Sequence, residues 1–107
     1  MVEVWNEGDV WRLRRGEDVV GEIFIEEGDF PWLSGRFVSA AGFAEVKPLF
    51  ERELALTEEE EWDEWDSVVS EINEKLQLVA PAGPVAEFLL HVEGERAWFR
   101  WIDDPVD

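Results

Sequence analysis

The sequence predicts an α+β domain, an antiparallel sheet of five or six strands with two consecutive helices inserted after the third strand. The order is β-β-β-α-α-β-β-β, with the helices on one sheet face. Three observations carry this. Residues 10–26 alternate apolar and polar side chains in two runs joined by a Gly-bearing turn. Residues 48–76 change to helical spacing. Residues 85–102 return to alternation around Gly94-Glu95. Strands and helices do not alternate along the chain, which argues against a doubly wound parallel sheet.

The first hairpin joins Val10–Arg15 to Val19–Glu26. Trp11 and Leu13 alternate with Arg12 and Arg14, and Ile23 and Ile25 share one face. Val2–Trp5 reads as a short extra strand or an arm anchored by Trp5. After the turn Glu27-Gly28-Asp29, the run Phe30-Pro31-Trp32 forms an aromatic corner that plugs one end of the core. Arg36–Ser39 reads as the third strand, with Gly35 a bulge or tight bend.

Pro48 to Leu56 has helical spacing, with Pro48 in the first turn and Phe50 and Leu54 four apart. Thr57 with Glu60 three residues on has the form of a capping box, which marks a second helix starting there. Trp62, Trp65, Val68, Val69, Ile72 and Leu76 form its apolar stripe. Gln77–Ala80 reads as a strand and Pro81–Pro84 as a hard turn. In the last hairpin a two-residue loop pairs Glu93 with Arg96, His91 with Trp98 and Leu89 with Arg100. Phe88, Leu90, Val92, Ala97, Phe99 and Trp101 then face the core.

The length, 107 residues, fits one domain spanning 1–107, with no repeat or linker. Seven Trp and seven Phe supply ample core. No Cys is present, so disulfides and thiolate metal sites are excluded. The opening MVEVWNEGDV is acidic where a signal peptide is basic and then apolar, and no apolar run approaches a membrane span. A cytoplasmic location is expected.

The net charge is −18. Direct nucleic-acid binding and attachment to an anionic membrane both need Lys and Arg, so both are disfavoured. Half of the net charge, −9, falls in residues 51–76, where eleven acids meet two bases. Seven of those acids are Glu58, Glu59, Glu60, Glu61, Asp63, Glu64 and Asp66. The glutamates in the first turn of the second helix suit the positive end of its dipole, which explains part of the run. They are also the natural surface for a basic protein partner, and small, acidic, Cys-free, aromatic-rich chains include inhibitors and immunity-type proteins of that kind.

His91 is the single histidine, which excludes a multi-His zinc site. With Trp98 and Arg100 it forms the best alternative ligand face, for a small molecule or a minor enzymatic activity. No hydroxyl sits in a nucleophile motif, and the chain is read as non-catalytic. Arg12, Arg14, Arg36, Arg96 and Arg100 all fall in strands. They either gather into a basic surface or pair across strands with Glu22, Glu26 and Glu87. Neither acidic turn, at 26–29 or 103–107, has the spacing of a calcium loop, so no metal or cofactor is implied. Leu89, Trp98 and Ile102 are too apolar to stay wet. A helix, or a second copy of the chain in a homodimer, is expected to cover them.

Overall fold

A computed structural model of the chain describes residues 8–29 and 32–102. Seven strands and two helices follow one another. They are β1 (Val10–Arg15), β2 (Asp18–Asp29), β3 (Trp32–Ser39), α1 (Phe43–Glu59), α2 (Trp62–Lys75), β4 (Gln77–Ala80), β5 (Gly83–Pro84), β6 (Glu87–Glu93) and β7 (Arg96–Ile102). The class is α+β, and the helices follow the third strand, as the periodicity predicts. The sheet has seven strands rather than five or six, in the order β5-β4-β1-β2-β3-β7-β6, all antiparallel. The additional strand is β5. The turn Pro81–Pro84 doubles back far enough for Gly83 and Pro84 to pair with Ala80 and Val79. The expected strand or arm at Val2–Trp5, and Phe30 and Pro31 of the aromatic corner, lie outside the described residues.

The sheet is curled. Trp11 of β1 meets Phe99 and Trp101 of β7 at centroid distances of 4.8 and 4.9 Å, although β2 and β3 lie between them in the hydrogen-bonded order. Gly35 allows part of that curl. A Cβ there would lie 2.0 Å from the Phe24 carbonyl oxygen, so only glycine permits this approach of β3 to β2. The register shift itself falls on the partner strand, between Ile25 and Glu27. Inside the curl, Trp11, Leu13, Ile23, Ile25, Leu33, Phe37, Leu90 and Phe99 form the sheet side of one apolar cluster.

Both helices depart from their expected limits. The first begins at Phe43, five residues before Pro48, which therefore sits inside it and removes one helical hydrogen bond. It also continues through Thr57 to Glu59. Thr57 does not cap a new helix; its hydroxyl donates to the Glu53 carbonyl at 3.0 Å, one turn back in the same helix. The chain turns at Glu60, and α2 starts at Trp62 with Glu61 as an N-cap that makes no side-chain bond. Val68, Ile72 and Leu76 of the expected stripe are buried, and Trp65 and Val69 half-buried. Trp62, expected in the core, is 52 % exposed.

The expectation of helices on a single sheet face needs correction for α1. Strand pairing places Phe37, Ala97, Phe99, Leu90 and Val92 on one face, and Trp32, Ser34, Trp98 and His91 on the other. Phe43 packs on Phe37 at 4.8 Å, while Glu53 reaches His91. The helix thus engages both faces beside β6, the edge strand. No helix among the described residues is long and apolar enough to cross a membrane.

Candidate functional site

The seven acids of the 58–66 run gather at the corner between the two helices. Glu58 and Glu59 end α1, Glu60 and Glu61 form the turn, and Asp63 and Glu64 occupy the first turn of α2. All seven are exposed. Glu64 bonds to Arg52 across the corner. The turn is built by two backbone hydrogen bonds, from the Glu61 amide to the Leu56 carbonyl at 3.0 Å and from the Glu60 amide to the Thr57 carbonyl at 3.2 Å. This is a Schellman closure, and it places Glu60 in the left-handed region (φ 57, ψ 36), where glycine is usual.

Charge placement here runs against the helix. Glu58, Glu59 and Glu60 lie at the negative end of the α1 dipole, and no base stands in its last turn. Each acid there costs about 0.3–1 kcal/mol where one at a helix start would be favoured by as much. Glu61, Asp63 and Glu64 benefit from the dipole, at the start of α2. The dipole therefore does not account for most of the run. Beside these acids Trp62 stands 52 % exposed and meets the half-buried Trp65 edge to face at 5.8 Å.

The alternative face divides. His91 and Trp98 are brought together, their rings stacked at 5.2 Å and 28°, and Trp32 stacks on His91 at 5.7 Å. His91 and Trp98 are directly paired across β6 and β7, Leu89 with Arg100 and Glu93 with Arg96, in the register the two-residue loop predicts. His91 is only 9 % exposed. Arg100 is exposed further along the face and lines a groove that neither His91 nor Trp98 reaches.

Sequence reasoning missed Glu53. Its side chain is fully buried on the inward face of α1, in line with Phe43, Val46, Phe50 and Leu56. One carboxylate oxygen, Oε1, lies 2.8 Å from His91 Nδ1. The other accepts from Trp65 Nε1 at 2.8 Å and from Thr57 Oγ1 at 3.3 Å. A carboxylate in an apolar interior is tolerated only with such partners. If the carboxylate is ionised it only accepts, and the bond to it then uses a proton on His91 Nδ1. Glu53 thereby ties α1, α2 and β6 together. A signal for it was present: a lone Glu interrupting an apolar stripe at spacings of three and four.

This carboxylate–imidazole pair has the orienting half of a hydrolytic triad, and among the described residues no hydroxyl is hydrogen-bonded to His91. Ser34 shares the face, but it pairs with Trp98, which in turn pairs with His91. Two strand spacings, about 10 Å, separate Ser34 from His91, with the indole in the way. The pair is therefore best accounted for by its structural role.

Of the strand arginines, Arg36 and Arg96 stand directly opposite each other across β3 and β7, but three of the five are engaged locally. Arg12 pairs with Glu22 at 3.3 Å, Arg96 with Glu26, and Arg36 lies over the Phe24 ring at 5.1 Å. Leu89 and Trp98 are half-buried within the single chain, while Ile102 remains 44 % exposed. Among the described residues, Trp11 Nε1 is the one fully buried side-chain polar atom without a hydrogen-bond partner. Among known proteins, no family model, no curated sequence and no solved structure matches the chain.

Proposed function

We propose that this chain is a small acidic, non-catalytic interaction module, of inhibitor or immunity type, that docks on a basic protein through its α1–α2 corner. Glu58, Glu59, Glu60, Glu61, Asp63, Glu64 and Asp66 supply the charge and Trp62 the anchor. The observation that carries the reading is the placement of Glu58–Glu60 at the C-terminal end of α1, with Glu60 in a left-handed conformation. A fold needs neither feature for itself. Charge held against a helix dipole has its use in what it attracts: carboxylates steer a basic partner in and reject acidic ones. An exposed indole ringed by charge matches the aromatic residues that dominate binding energy in interfaces.

The test measures affinity for a captured basic partner against ionic strength. Wild type is compared with the combined Glu58→Gln, Glu59→Gln, Glu60→Gln and Glu61→Gln variant, and with Trp62→Ala. Affinity is expected to fall as salt screens the exposed charges and to fall again in the Gln variant. Trp62→Ala is expected to cost about 2 kcal/mol of binding. Binding indifferent to salt, to the Gln substitutions and to Trp62 would refute the proposal.

A further inference from the structure

The surface around Trp62 continues past the corner. Trp62 leans on Trp65, and Trp65 lines a groove of about 420 Å³ between α2 and the β6–β7 hairpin. Val69, Leu89 and Ile102 give the groove an apolar lining, and Ile102 is 44 % exposed. Its charged residues are Asp66, Glu74 and Glu87 against the single Arg100. One wall is fixed: the Asn73 side-chain amide donates to the Phe88 carbonyl at 2.9 Å and accepts from the Phe88 amide at 3.0 Å.

We infer that this groove receives a basic amphipathic segment of the partner protein. One apolar side chain of the segment seats against Val69, Leu89 and Ile102, and its neighbouring Lys or Arg residues meet Asp66, Glu74 and Glu87. The inference rests on the corner being an interaction surface, and it names what that surface recognises. Two features select this occupant. Wet apolar area favours a ligand that covers it, and three carboxylates against one guanidinium demand cations beside the apolar group. A helix laid in a groove offers both on adjoining faces. A second copy of the chain does not fit, since it carries −18 and would bring acids against acids.

The experiment uses the full chain and three synthetic peptides with helical spacing, built of Lys and Leu, of Lys and Ala, and of Glu and Leu. Binding is followed by titration and by the ¹⁵N indole signals of Trp62 and Trp101, which report on the corner and the groove respectively. The Lys/Leu peptide is expected to bind about tenfold or more tighter than Lys/Ala, the difference one buried leucine makes. It should move both indole signals. Glu74→Lys combined with Glu87→Lys, both exposed positions, should weaken it about tenfold. Equal binding of Lys/Leu and Lys/Ala, with only the Trp62 signal moving, overturns the groove and leaves the corner standing. Binding of Glu/Leu as tight as Lys/Leu also overturns the groove. Failure of both basic peptides to bind at low salt overturns groove and corner together.

Discussion

Glu53 makes the most demanding test of how the structure is held. Truncation to Ala removes the acceptor from Trp65 Nε1 and from His91 Nδ1, while Thr57 keeps its bond to the Glu53 carbonyl. An orphaned buried donor costs about 1–3 kcal/mol. Trp65 is half-buried and regains some water, so its share lies at the low end. The space left by the side chain adds a cavity term. Glu53→Ala is therefore expected to lose about 3 kcal/mol, a large part of the about 5–15 kcal/mol that holds a domain folded. Glu53→Gln keeps the shape. Its amide oxygen serves Trp65 and Thr57, and its NH₂ donates to His91 Nδ1 once the imidazole proton moves to Nε2. Its expected loss is about 1 kcal/mol. Urea unfolding followed by tryptophan emission reads both, as midpoint shifts at constant slope. A cycle with His91→Ala should return a coupling of about 1 kcal/mol. An Ala variant within about 0.5 kcal/mol of wild type, or a Gln variant as damaged as Ala, would refute the hydrogen-bond argument.

Three further outcomes follow from the same geometry. Asn73→Ala strips the amide that occupies the Phe88 backbone on the edge strand β6. It should cost about 2 kcal/mol in denaturation and bring concentration-dependent light scattering, as an uncovered strand edge recruits other chains. Gly35→Ala drives a Cβ to 2.0 Å from the Phe24 oxygen and 2.7 Å from its carbonyl carbon. With backbone on the other side of the clash, the expected loss exceeds about 3 kcal/mol in the same assay. Glu60→Gly relieves a left-handed glutamate and removes one acid from a helix C-terminus. Calorimetry should find a gain of about 1 kcal/mol and a melting temperature higher by about 4 °C.

The register of the last hairpin was legible because its loop leaves no freedom, although its first strand begins at Glu87 and not at Val85. Two residues around Gly94 (φ 59) fix the register, and with it which of Phe88 to Trp101 face inward. The start of α1 was not legible, because Pro48 reads as a helix beginning. An interior proline costs about 3 kcal/mol. Burying Phe43 and Val46 in the extra turn returns about 1.5–3 kcal/mol each, enough to offset it. Local sequence signals the cost, while the gain depends on the tertiary fold, which lays Phe43 against Phe37 of β3 across the 40–42 turn. Thr57 misled in the same way, since its hydroxyl serves a cap or a backward bond equally well. Its Glu60 partner for a capping box ends a helix instead of beginning one. Of the predicted site residues, the acids did cluster. His91 did not become an open ligand face, because its carboxylate partner lies 38 residues away on a helix whose inward stripe seemed to run through Leu54.

The exposure of Trp62 has an optical consequence. Of the six described tryptophans, at 11, 32, 62, 65, 98 and 101, it is the one placed in water, and its surroundings are carboxylates. Caesium ions are concentrated at such a site and iodide ions are repelled. The emission of Trp62 is therefore quenched by caesium and resists iodide, a difference that Trp62→Phe removes and that a basic partner seated on the corner abolishes.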